Sequence, residues 1–140
     1  MILHLHATPE EVMRAVEAFQ EFGREKQLSE KMIFGLALAL EECGSNIVDH
    51  AYRRDPSREF QVRIDYTDYA VTIELRDRGP EFDPTRQRDS RPVTNEEDRP
   101  PGGFGILLVR RYTDEISWRR EAGENVLRLT KRLATQAKQP

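Results

Sequence analysis

Cysteine and long apolar runs are what this sequence has least of, and each shortage closes off a class of protein. One cysteine, Cys43, in 140 residues cannot form an internal disulfide. It offers no spaced ligand pair for a structural metal either, and it fits a reducing compartment. No apolar stretch approaches the ~20 residues that a membrane-crossing helix needs. The opening "MILHLHATPE" lacks the basic and then apolar layout of a secretion signal. A cytoplasmic protein with no membrane partner is the expectation. There is no long block of like charge, and the formal net charge is -3. That speaks against direct nucleic-acid binding by phosphate neutralisation. No internal repeat is present. What remains is 37% hydrophobic and 34% charged residues, the balance of a soluble chain. The length predicts one domain over residues 1–140, with enough chain to bury a core.

Hydrophobic periodicity orders the chain. "ILHLH" alternates and reads as a first strand. In "TPEE", Thr8 can cap a helix, Pro9 suits its first position, and Glu11 completes a capping box. Val12, Ala15, Val16, Phe19 and Phe22 then recur at helical spacing, with Gly23 near the helix end. A second helix starts after Ser29, where Leu28 can staple against Ile33. Its apolar face is Ile33, Leu36, Ala37, Leu40, Gly44 and Ile47. Steps of ~100° per residue put Glu42, Asn46 and Asp49 together on the opposite side. "DPS" ends this helix, and "FQVRIDY" and "VTIELRD" form an antiparallel pair turning near Thr67 and Asp68. Val62, Ile64, Val71, Ile73 and Leu75 are its buried face.

From Arg78 to Pro101 the chain is rich in Pro, Arg, Asp and Glu, too polar to offset the entropy of ordering. So long a loop inside a compact domain points to function or disorder. "GGFGILLVRRY" opens a third helix, and "EISWRR" and "NVLRLTKRL" pair around "EAGE". Residues 134–140 are read as a frayed tail. Together these elements predict an α+β two-layer sandwich, with helices on one face of a mixed, mostly antiparallel sheet.

Three places can carry chemistry. "GGFG", Gly102 to Gly105, opens a helix whose free N–H groups and dipole attract phosphate. A plain loop-to-helix turn is the other reading. Asp77 sits where a strand ends and can accept a hydrogen bond from an exocyclic amino group, with Gly79 leaving room for a flat ring. A turn acid beside a turn glycine is the alternative. Phe82 reads as a loop anchor in the core. Glu42 and Asn46 lie one helical turn apart. An amide oxygen suits Mg2+, and a carboxylate can take a proton from an attacking hydroxyl. A solvated helix face explains the pair equally. Yet the helix is apolar before them, and Gly44 and Ser45 are poor helix formers whose small size suggests close packing. His50 flanks the same helix and reads as making a structural hydrogen bond, with a reach to a phosphate as the alternative. His4 and His6 share a strand face and read as structural or interfacial, and Trp118 as a packing residue.

The order and spacing of these pieces resemble the histidine-kinase-like ATPase superfamily. "EECGSNIVDHAY" resembles its Asn-box, and "DRGPEFDP" and "GGFGILLVRRYTDEI" its two glycine boxes. The closest resemblance is to the anti-sigma-factor serine kinases. It rests on a Glu four residues before the Asn, the "HAY" ending and the Asp-x-Gly-x-x-Phe-Asp-Pro box. It covers about Leu3 to Leu133. The resemblance implies a Bergerat-type ATP-binding fold. It implies Glu42 as general base, Asn46 as the Mg2+ ligand, and Asp77 with Gly79 at the adenine. Gly102, Gly103 and Gly105 would approach the phosphates, and residues 84–101 would be a mobile lid over ATP. It also implies a protein serine/threonine kinase acting on an anti-anti-sigma partner of the STAS type. A bound sigma factor and a homodimer belong to the same expectation. Two positions depart from the family pattern: Asp49 stands where a basic residue is common, and Ile47 where Ala is common. An acid there would repel phosphates unless it points outward or pairs with Arg53. Asp49 and the lysine-free lid leave open a second reading, an ATP-binding module that sequesters a partner without turnover. The catalytic half of a histidine kinase is a third reading, disfavoured because nothing upstream supplies a dimerising helix pair with a phospho-accepting His.

Overall fold

The computed structural model describes residues 1–86 and 103–134. Of the expected lid over 84–101, Pro84–Arg86 form a 3-10 turn, while 87–101, Gly102 and the tail beyond Ala134 lie outside the described residues.

The element order matches the expectation: β1 (Ile2–His6), α1 (Pro9–Glu25), α2 (Glu30–Asn46), β2 (Glu59–Tyr66), β3 (Ala70–Asp77), α3 (Gly103–Tyr112), β4 (Glu115–Glu121) and β5 (Glu124–Arg132). The sheet runs β1-β2-β3-β5-β4. All four pairings are antiparallel, so the sheet is uniformly antiparallel rather than mixed. Hairpins make β2–β3 and β4–β5 so. The second closes in two residues, Ala122 and Gly123, at φ 50° and 79°, the primed turn whose twist suits adjacent strands.

Alternation fixes which face of the sheet is covered. Phe60, Val62 and Ile64 of β2, Val71, Ile73 and Leu75 of β3, and Leu129 of β5 are all buried in one cluster with α1 and α2. This is the two-layer arrangement, and the polar residues of the same strands take the other face.

The caps show how local chemistry sets the helices. Thr8 Oγ1 accepts the Glu11 N–H at 3.2 Å, as expected. Glu11 does not return the bond to Thr8, because the Thr8 N–H is already donated to His6 O at 2.8 Å. Glu11 accepts from the His6 N–H instead, at 3.3 Å. Ser29 caps α2 by accepting the Met32 N–H at 3.1 Å. Gly23 does not end α1. Gln27 does, at φ 58°, with Leu28 N–H on Gly23 O and Gln27 N–H on Arg24 O, the Schellman pattern. Gly23 is glycine for a different reason: a Cβ there would come within 2.8 Å of Ile33 Cγ1 of α2.

α2 lies between α1 and α3, and small residues allow it. A Cβ on Gly35 would collide with the Tyr112 ring of α3, and Gly44 already faces Val12 of α1. After Asn46 the helix widens into a π turn, Ile47–Ala51, closed by the Tyr52 N–H on Ile47 O at 2.9 Å. Tyr52 is buried, and its hydroxyl ties two segments. It donates to Glu59 O at 2.8 Å and accepts the Arg78 N–H at 2.6 Å. Tyr52→Phe strands that N–H at the exit of β3. A loss of about 1–3 kcal/mol is expected, measured as a shift of the urea midpoint with unchanged slope.

Candidate functional site

The candidate site is built where β3 and β5 end side by side. Their register places Asn125 directly opposite Asp77, so both side chains share the helix-facing side. Asp77 is 7% exposed and Asn125 5%, and two such polar groups so deep require partners. Asn125 has four. Its Nδ2 donates to Asp77 Oδ1 at 3.0 Å and to Pro80 O at 2.9 Å. Its Oδ1 accepts the Phe82 N–H at 3.1 Å and the Trp118 Nε1–H at 3.3 Å. Asp77 Oδ1 also accepts the Gly79 N–H at 2.9 Å. Among the described residues both bonds to the Asp77 carboxylate fall on Oδ1, so Oδ2 is left to meet a donor. Burial pushes the Asp77 carboxyl above its ordinary range, against the opposing pull of Asn125, Gly79 and the nearby Arg120 charge.

Beside this pair opens a cavity of about 250 Å³. Ile47, Phe82, Ile106, Val109, Trp118 and Leu127 supply its apolar walls, and Asn46, His50, Asp77 and Asn125 its polar points. A flat, largely apolar wall set with a few hydrogen-bonding groups suits a heteroaromatic ring. Phe82 lines this cavity and is 51% exposed, so it is not anchored in the core. Its backbone, not its ring, is what Asn125 holds.

The other candidate residues divide around the cavity. Asn46 lines it and Glu42 does not. The Glu42 carboxylate lies instead against the first turn of α3. A Cβ on Gly105 would stand 2.5 Å from Glu42 Cδ, so glycine at 105 is what admits the carboxylate there. Glu42 is half-buried, and its carboxyl is raised above the usual range. Desolvation is the largest cause, Glu41 and Asp49 add to it, and His50 opposes it. Gly103 begins α3. Gly79 is buried, and a Cβ on it would meet Ala51 Cβ at 2.8 Å. Its smallness serves the contact between the π turn and the β3 exit.

Asp49 leaves the shared face. The π turn carries it outward, where it pairs with Arg54 Nε at 2.7 Å and not with Arg53. His50 takes a place on the cavity wall and makes no side-chain hydrogen bond among the described residues. Trp118 is a wall of the cavity rather than core filling. Asn125, Trp118, Tyr52 and Arg120, which donates to Gly79 O at 2.8 Å, were not legible as site residues. One faint signal existed: Asn is a poor strand former, yet it stands near the start of β5, just before Val126 and Leu127.

Residues 5–131 match the family described as the histidine kinase-like ATPase domain. The chain belongs to this family. Among curated relatives it is 27% identical over 135 residues to the serine/threonine-protein kinase BtrW of Bordetella bronchiseptica, covering 96% of this chain and 95% of that one. It is 29% identical over 95 residues to the serine-protein kinase RsbW of Bacillus subtilis, covering 65% and 59%. Among solved structures, the RsbU and RsbW domains of a Mycobacterium tuberculosis protein align over 95% of this chain and 32% of that one, with TM-score 0.64 at 21% identity. The Pseudomonas aeruginosa SiaB–SiaC complex aligns over 95% and 89%, with TM-score 0.63 at 12% identity. At those identities the two structures establish the α+β fold. In this ATPase family domain no helix among the described residues is long and apolar enough to cross a membrane.

Asn125→Ala removes the side chain that holds Asp77, Pro80, Phe82 and Trp118 together. The Asp77 carboxyl then rises further, and its second oxygen loses its orientation. Adenine-nucleotide affinity is expected to fall by about tenfold, read by calorimetry alongside a melting curve.

Proposed function

We propose that this chain is an ATP-dependent protein serine/threonine kinase of the anti-sigma type. It binds ATP in the Asp77 cavity and transfers the γ-phosphoryl group to a serine or threonine of an anti-anti-sigma, STAS-type partner. The observation that carries the reading is the arrangement along α2 and α3. A desolvated carboxylate, Glu42, lies against the glycine-opened first turn of α3, one helical turn from Asn46, while Asp77 lines the adjoining cavity. Kinase names among the relatives and the boxes quoted above support the same assignment. Holding a sigma factor and forming a homodimer are part of this proposal, as is a cytoplasmic location.

The chemistry asked of the chain is modest. In phosphoryl transfer the protein aligns the reacting oxygens and stabilises charge. Asp77 Oδ2 accepts from the adenine amino group, which guanine lacks at that place. The N–H groups at the start of α3 face the phosphates. Glu42 takes the proton of the acceptor hydroxyl. A raised pKa makes it a stronger base, provided it is ionised, and ionisation is complete only above its folded pKa. Asn46 fits Mg2+, since it brings a neutral oxygen donor to the cavity wall, and magnesium commonly takes one or two protein groups with phosphate oxygens. When bound, the ion neutralises phosphate charge.

One observation favours the second reading. Glu42 lies off the cavity lining, as it would in a module that holds nucleotide and sequesters its partner without transfer. Incubation with γ-labelled ATP and STAS-type proteins decides between them. Label on a partner serine or threonine establishes the kinase, and stable binding with no label establishes the module.

Glu42→Ala is expected to retain ATP binding and to lose transfer by about 10²–10⁴-fold. In the wild type the rate rises with pH through the Glu42 titration, above the ordinary 4.5, and the variant loses that limb. Equal loss of binding and transfer would remove Glu42 from the base role. Asp77→Asn exchanges an acceptor for a group that can also donate to a guanine carbonyl. ATP preference over GTP should shrink by about tenfold in competition binding. A wild type indifferent to the base would refute the assignment of Asp77.

A further inference from the structure

A second concavity lies on the other side of the Ala51–Gly79 contact. It is an open groove of about 400 Å³ walled by Ala51, Tyr52, Arg53, Arg58, Arg78 and Gly79. Three arginines line it in a chain whose formal charge is -3. Among the described residues none of the three forms an ion pair, whereas their neighbour Arg54 is taken up by Asp49. The one acid in the lining, Asp55, accepts the Ser57 N–H at 3.0 Å and the Ser57 hydroxyl at 2.7 Å at its Oδ1, and its charge also acts on Arg58 without forming an ion pair.

The groove is held in shape. The Arg58 guanidinium sits over the Tyr52 ring at 4.7 Å, and its Nη2 donates to Arg78 O at 3.4 Å. Arg53 and Arg54 both adopt left-handed backbone, φ 47° and 61°, a costly pair for residues with side chains. The Arg54 N–H on Val48 O at 2.7 Å and the Tyr52 N–H on Ile47 O at 2.9 Å fix that turn. Positioned guanidinium forks suit carboxylates, and the ordering cost of at least Arg58 is already met.

We propose that this groove binds an acidic peptide segment of a partner protein, with carboxylates meeting Arg53, Arg58 and Arg78. Charge complementarity selects the occupant. A nucleic acid needs a longer basic track than one bounded groove on an acidic chain. The inference goes beyond phosphoryl transfer and does not depend on it.

The test is fluorescence anisotropy of the full chain with a fluorescein-labelled octaglutamate peptide. Saturable binding is expected at low ionic strength, weakening towards about 0.15 M salt. Arg58→Ala/Arg78→Ala should weaken it by about tenfold or more. The control, Lys131→Ala/Arg132→Ala, removes the same charge at the end of β5 where Arg132 pairs with Ala70 of β3, and should change it by less than about twofold. Arg58→Lys/Arg78→Lys should recover part of the loss. Melting curves accompany every variant. Should Arg58→Ala unfold the chain by uncovering Tyr52, Arg53→Glu/Arg78→Glu replaces it and should abolish binding. Equal weakening by the groove and control variants overturns the proposal, as does equal binding of a neutral peptide. Displacement by millimolar inorganic phosphate, or tighter binding of a single-stranded oligonucleotide, also overturns it.

Discussion

One hydrogen bond between neighbouring strands, from Asn125 Nδ2 to Asp77 Oδ1, is what the site is assembled around. A carboxylate as deep as Asp77 is costly to ionise, and neutral donors offset only part of the cost. Asn125 and the Gly79 N–H pull the pKa down, and burial pushes it up by more. Since the folded value lies above the unfolded one, the fold holds this proton more tightly. Its contribution to stability falls as pH climbs from the ordinary 3.8 through the folded value. A ligand that brings its own donor to Oδ2 offsets that cost, so the bond that orients the acid also leaves the want that a ligand fills. The same amide holds the Pro80–Phe82 segment and the Trp118 ring, so the back wall and the hydrogen-bonding end of the cavity are one unit.

The front of the cavity depends on close packing. α2 is flanked by α1 and α3, and Gly44 and Gly35 are where those neighbours press on it. The third close approach, Glu42 on Gly105, belongs to the same helix pair but acts on chemistry. Bringing α3 near enough for this contact is what strips water from the Glu42 carboxylate and raises its pKa. Packing between α2 and α3 thereby sets how tightly the Glu42 carboxyl holds its proton.

Much of this was legible in the chain. Alternation in "FQVRIDY" and "VTIELRD" named the buried face, and Val62, Ile64, Val71, Ile73 and Leu75 are indeed in the core. Thr8 and Ser29 announced their helices, because a cap needs only local chemistry. Gly44 hinted at close packing, which the Val12 contact bears out. What failed had two sources, residues far apart in the chain and local backbone geometry that departs from the regular period. Asn125 becomes a site residue only once β3 and β5 are in register. Glu11 missed its capping-box partner because another backbone group had already claimed that N–H. Asp49 was placed by an α-helical period, and the π turn changed the period after Asn46.

That last shift bears on the acid that stands where related kinases often carry a basic residue. An acid facing the phosphates would repel them, and this argued for a chain unable to turn over. The π turn weakens the objection. Asp49 is drawn outward to Arg54, and it is absent from the cavity wall, where His50 stands instead. Its remaining influence falls on Glu42, where a like charge raises the carboxyl pKa. A basic residue in its place would lower that pKa and weaken the base. An acid at this position thus makes Glu42 more proton-avid, and His50 acts on it in the opposite direction. Under the base role proposed for Glu42, an acid at 49 places the working range at higher pH than a basic residue there would allow.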